Sequence, residues 1–122
     1  MPILVHPDCR ERLESSCDVG REKSLLVASF PRLDFSSLSE KWWRAPRAPS
    51  LPTNSGLANG HSQEPFEKED FQTFQRRLDG FKQWLIQRPE QRFVVYGHAC
   101  FFYHLSGGVS LENCEVLTLT NL

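Results

Sequence analysis

No apolar run in this 122-residue chain approaches the ~20 residues that a bilayer-spanning helix needs. The opening stretch, Met1-Pro2-Ile3-Leu4-Val5-His6-Pro7, has three consecutive aliphatics and no basic leader, so no signal peptide is expected. Neither charge sign dominates: fourteen Lys and Arg face fifteen Asp and Glu, for a formal net charge of -1. That balance exerts no general pull on phosphate backbones or anionic lipid, and the sequence predicts neither a nucleic-acid nor a membrane partner. Cysteine is scarce. Cys9, Cys17, Cys100 and Cys114 form no C-x-x-C pair and no His pair stands near them at ligand spacing, so reduced thiols are expected, with no metal and no cofactor. What is present is 39% apolar and 24% charged residues, too much core material for a disordered chain. These counts predict a single domain over 1–122, soluble and cytoplasmic, with oligomeric state left open.

Local pattern divides the chain. Ile3-Leu4-Val5, β-branched and bounded by Pro2 and Pro7, reads as a short buried strand. A helix is predicted over 21–29, stopped by Pro31, and a second over 37–43 with Ser36 or Ser37 as N-cap. Residues 44–65 hold four of the eight prolines and two of the seven glycines, with only Leu51 and Leu57 as large aliphatics, and read as a flexible inserted loop. Phe71, Phe74, Leu78, Phe81 and Leu85 are spaced 3, 4, 3, 4 on one face of a helix predicted over 67–88. Lys68, Glu69, Gln72, Arg76, Asp79, Lys82 and Gln83 are assigned to its other face. Arg92-Phe93-Val94-Val95-Tyr96-Gly97 reads as a strand buried on both faces. A helix over 99–105, ended by Gly107-Gly108, and a strand over 114–119 complete the pattern. This order predicts an α/β fold, a three-layer, mostly parallel sheet with helices on both faces.

Chemistry is sought where apolar strands end, since α/β sheets bind ligands beyond their strands' carboxyl ends. His98 follows a strand and a glycine and opens a helix. An imidazole there can donate to a phosphate oxygen; the alternative is a cap or a packed histidine. Arg10-Glu11-Arg12 follows the first strand. It reads either as a solvated cluster or as a general acid, Glu11, flanked by phosphate-binding arginines. Trp42 and Trp43 read as packing or as a lid. Cys100, just after His98, is a packed thiol or one with a lowered pKa. His61, in the 44–65 loop, reads as plainly exposed.

The stretch Phe93-Val94-Val95-Tyr96-Gly97-His98-Ala99-Cys100-Phe101-Phe102 resembles the strand, turn and helix near the C-terminus of the histidine phosphatases, the phosphoglycerate mutase-like superfamily. Cys9-Arg10-Glu11-Arg12, Cys17-Asp18-Val19-Gly20, Phe30-Pro31-Arg32-Leu33-Asp34-Phe35 and Trp42-Trp43 look like the middle of one branch of it, and Asn113-Cys114-Glu115 like the opening of its closing strand. The resemblance implies a truncated phosphoglycerate mutase-like fold, corresponding to the C-terminal part of such a domain. It implies phosphomonoester hydrolysis or phosphoryl transfer, with a small phosphorylated molecule as ligand. His98 would be the second active-site histidine, Glu11 the proton donor, and Arg10 and Arg12 the phosphate contacts. The family's nucleophilic Arg-His-Gly occurs nowhere in this sequence. Its absence implies impaired catalysis, or alternatively a non-catalytic remnant that binds a phosphorylated ligand or a protein. An unrelated small α/β binding domain is the third reading.

Overall fold

The computed structural model describes residues 3–44 and 66–120, so the loop expected over 44–65 lies, apart from Arg44, outside the described residues. Three α-helices form: α1 (Lys23–Ser29), α2 (Phe71–Ile86) and α3 (Ala99–Leu105), with short 3-10 turns at Pro7–Cys9 and Ser16–Asp18. The longest starts at Phe71 because Asp70 caps it, its carboxylate accepting the Thr73 N–H at 2.9 Å. It ends at Ile86, three residues before Pro89. In α3 the chain leaves the helix through Gly107 (φ 78), a left-handed position that costs glycine little.

Four residues of the α2 stripe (Phe74, Leu78, Phe81 and Leu85) join Phe101 and Leu105 of α3 in the main core. Phe71, the fifth, is exposed and packs its ring edge-on against His104 at 5.4 Å. The 3-10 turn at Pro7–Cys9 packs on α2 as well. His6 opens that turn: its Nδ1 accepts the Asp8 N–H at 3.2 Å while its ring lies against Phe81 (5.2 Å) and Trp84 (4.4 Å).

The three-layer, mostly parallel α/β sheet is not formed among the described residues, nor is the truncated phosphoglycerate mutase-like fold that the resemblance implies. A single parallel bridge, Leu4 with Asp34, is all the β-pairing there is among them. It consists of Val5 N–H to Asp34 O and Asp34 N–H to Ile3 O, both 2.9 Å. A strand is stable only if another chain segment meets its N–H and C=O groups, and among the described residues no ladder forms along 92–97 or 114–119; Tyr96 O is met instead by the Cys9 thiol at 3.3 Å. Val94 and Tyr96 are instead 72% and 86% exposed, while Val95 alone of that run packs toward the core. The C-terminal run begins with a turn: Cys114 is left-handed (φ 66), the Glu115 N–H bonds Glu112 O at 3.1 Å, and Val116 is 87% exposed. The helix expected over 37–43 is likewise replaced by turns. Its carbonyls serve α1 rather than a helix of their own: Glu40 O accepts the Lys23 N–H and Leu38 O accepts Lys23 Nζ, each at 3.0 Å. No helix among the described residues is long and apolar enough to cross a membrane.

Candidate anion-binding cleft

Arg77 stands three residues after Phe74 and four before Phe81, so helical geometry turns a guanidinium toward the apolar face of α2. A buried charge must be paired. The partner is Glu69, 7% exposed, the one buried polar or charged residue among those described. Arg77 meets it bidentately, Nε to Oε1 at 2.9 Å and Nη2 to Oε2 at 2.8 Å. From the other side Arg10 donates through Nη1 and Nη2 at 3.2–3.3 Å. The result is an Arg–Glu–Arg triad carrying one net positive charge. Arg77 also donates to Asp8 O (2.7 Å), Arg10 O (2.9 Å) and Glu11 O (3.4 Å), and Glu69 exchanges bonds with the Leu13 backbone. The triad thus fastens residues 8–13 to the start of α2.

Its electrostatics follow from this packing. Burial alone would raise the Glu69 carboxyl, but the hydrogen bonds and charges of Arg77 and Arg10 outweigh burial and hold it below its ordinary value. Burial, and then the neighbouring Arg77 charge, push Arg10 below its own ordinary value. The Arg10 Nε–H is buried with no hydrogen-bond partner among the described residues, and the side chain as a whole is 10% exposed.

Beside the triad lies a cleft of about 610 Å³. Arg10, Glu69, Arg77, Thr73 and Arg76 line it together with Pro7 and Asp8, and the 37–44 segment contributes Ser37, Ser39, Trp42 and Arg44. Among the described lining residues, four arginines stand against two carboxylates. Arg76 is exposed and donates from Nη2 to Thr73 Oγ1 at 3.1 Å within its own helix.

The residues singled out from the sequence divide between this cleft and the far end of α3. Glu11 accepts the Arg12 N–H on Oε1 at 2.9 Å and the Cys100 N–H on Oε2 at 3.3 Å. Cys100 is the second residue of α3, whose N-cap residue is His98, so Glu11 and His98 share that helix end. There is no sheet edge there for them to share. His98 is exposed and makes no side-chain capping bond. Arg10 belongs to the triad. Arg12 is engaged by Glu14 (2.9 Å), by Glu69 O (3.2 Å) and over the Phe71 ring (5.6 Å), and does not line the cleft. Cys100 is not an activated thiol: burial, then the Glu11 charge, raise it above its ordinary value. Burial likewise raises Cys9 to about 11. All four cysteines are free, and no group of three His, Cys, Asp or Glu among the described residues could hold a metal ion.

Glu69 and Arg77 are the functional residues that pattern reasoning missed. Glu69, expected on the polar face of a helix over 67–88, stands before the Asp70 cap, outside the helix, and is buried. Arg77 carried a usable signal, a charge on the apolar stripe that demands a buried counterion.

The triad and His6 give one pH prediction. Burial holds folded His6 below its ordinary 6.5, and Glu69 lies below its ordinary 4.5. In both cases the unfolded chain takes up protons first as pH falls, so stability is whole above pH 6.5 and is lost with acid. The loss begins as pH drops through 6.5 and steepens below 4.5. Urea midpoints between pH 8 and pH 4 should fall monotonically. His6→Asn, which keeps an acceptor for the Asp8 N–H, should flatten the upper part of the curve; an unchanged upper slope would count against the His6 contribution.

No protein-family model, no curated protein and no solved structure matches this chain.

Proposed function

We propose that this chain is a non-catalytic module that binds a small phosphorylated molecule in the arginine-lined cleft. The observation that carries the reading is the arginine-rich lining of the cleft, where the exposed Arg76 stands beside a triad that is itself one positive charge in excess, a setting that suits a phosphomonoester dianion. Guanidinium groups meet phosphate oxygens in pairs of parallel N–H bonds, and such charge-assisted bonds are about twice as strong as neutral ones. Arg76 has N–H groups to offer, and Ser37 and Ser39 add hydroxyl donors in the same lining. The buried, unpartnered Arg10 Nε–H marks a second unmet donor in a side chain that lines the cleft.

Glu11 and His98 support no catalytic reading as strong. Each Glu11 oxygen accepts a backbone N–H, which ties the carboxylate to Arg12 and to the start of α3. Phosphohistidine chemistry needs a nucleophilic imidazole in each of its two steps, and the motif that supplies it is absent from the sequence.

Calorimetric titration with glycerol 3-phosphate tests the proposal. Saturable binding is expected, weakening as salt rises. Arg76→Gln should weaken it about tenfold, the equivalent of ~1.4 kcal/mol, and His98→Ala should leave it unchanged. Absence of saturable binding would overturn the reading. So would binding lost with His98→Ala but not with Arg76→Gln, which would move the phosphate to the α3 end. Turnover of p-nitrophenyl phosphate abolished by His98→Ala would show that the module is an enzyme.

A further inference from the structure

We infer that the ligand carries a flat aromatic body next to its phosphate, and that Trp42 is the wall that selects it. The inference rests on the phosphate-binding reading of the same cleft and adds the class of molecule. Volume is the first observation. A bare phosphate occupies only a few times the ~30 Å³ share of one liquid water. The cleft, at about 610 Å³, lies within the ~300–1,000 Å³ of ordinary small-molecule sites. Room therefore remains for an organic body.

The second observation is what that body would touch. Among the described residues, Trp42 and Pro7 are the apolar side chains of the lining, and Trp42 is the larger. An aliphatic body would gain only the burial of its area against the indole and the arginine stems. A planar π-system can lie offset on, or edge-on to, the indole, an arrangement worth about 0.5–1.5 kcal/mol beyond area burial.

The third is that the indole is held in place. Trp42 Nε1–H donates to Arg21 O at 2.8 Å, and its ring meets Trp43 edge-on at 5.9 Å and 90°. Trp43 itself is buried. Gly20 makes the room: a Cβ there would come within 2.6 Å of Trp42 Cζ2 and 2.7 Å of Trp43 Cε3. Any larger residue must displace one ring or the other. Trp42 is nevertheless only half-buried, so a surface fixed before the ligand arrives still faces the cleft. A side chain already locked in place loses little entropy on binding, which is how rigid aromatics yield selectivity.

The test is a set of calorimetric titrations in matched pairs. Phenyl phosphate is compared with glycerol 3-phosphate, and adenosine monophosphate with ribose 5-phosphate. The aromatic member should bind at least fivefold tighter in one pair or both. A gain confined to the phenyl pair assigns an aryl phosphate, and one confined to the adenosine pair assigns a nucleotide. Trp42→Ala should abolish the gain, bringing each aromatic ligand to within about twofold of its non-aromatic partner. Trp42→Leu, which keeps a large apolar side chain, should do the same if Trp42→Ala fails to fold. Equal affinities within both pairs, or a preference that survives loss of the indole, would overturn the inference and leave phosphate binding standing. No binding by any of the four would overturn the phosphate reading, and the inference with it.

Discussion

Glu69→Gln should destabilise the chain by about 3–5 kcal/mol, because it leaves two buried guanidiniums without their shared counterion. The side-chain shape is nearly unchanged, so the loss measures charge rather than packing. Gln also turns an NH₂ donor toward Arg10 or Arg77, each of which has only donors to offer. Set against a total stability of ~5–15 kcal/mol for ordinary domains, such a loss would unfold much of the population at room temperature. Urea denaturation followed by far-ultraviolet circular dichroism would register it as a collapsed midpoint. A shift worth less than about 1 kcal/mol would mean that water screens the triad and that it is not the fastening described above. Arg77→Met should be nearly as damaging. It strips hydrogen bonds from Asp8 O, Arg10 O and Glu11 O besides freeing one side of Glu69. Removing the whole triad for apolar residues would therefore restore less than such replacements do elsewhere, since three carbonyls would still lose their donor.

Phe101→Ala should cost a similar ~3–5 kcal/mol, by the other mechanism, a cavity at the seam of two helices. Phe101 is fully buried, and its ring meets Phe81 edge-on at 5.5 Å. It is one of only two α3 residues in the main core, Leu105 being the other. A seven-residue helix cannot hold itself together in water, where isolated helices under ~12–15 residues are marginal. Loss of Phe101 should therefore melt α3 as well as lower the midpoint. Amide exchange separates the two effects: protection across 102–106 should vanish while the middle of α2 keeps a measurable part of its own. Uniform loss along both helices would show that they unfold as one unit and that α3 has no separate dependence on Phe101. Melting α3 also removes the Cys100 N–H that holds Glu11, so the two ends of the Arg10-Glu11-Arg12 segment would report on different events.

Three of the four expected helices form, the one over 37–43 being the exception, and they were legible because their determinants are local. The 3, 4, 3, 4 spacing from Phe71 to Leu85, the Asp70 cap, Pro89 and Gly107 act within a few residues of the backbone they govern. So α1, α2 and α3 lie within the spans that pattern and caps predicted. Even the overlong start of α2 at residue 67 is corrected by a local feature, the Asp70 side chain reaching Thr73.

Strands differ because half of every ladder bond belongs to a distant segment. Phe93-Val94-Val95-Tyr96 and Val116-Leu117-Thr118-Leu119 have the composition of buried strands, and no property of either segment reveals whether a partner lies alongside. Among the described residues only Leu4 and Asp34 pair, and the apolar runs are left largely in solvent. The candidate site shows the same division. Sequence alone determined that Arg10 and Glu11 follow the first apolar segment and that His98 precedes a helix. Tertiary structure decided that Arg10 turns to Glu69 and Arg77 from 59 and 67 positions away, and that Glu11 turns to the Cys100 N–H from 89 positions away. It alone set Trp42 beside Arg76 in one cleft. A side chain's charge and reach are written in its residue, but which buried charge it must neutralise depends on how the chain folds back on itself.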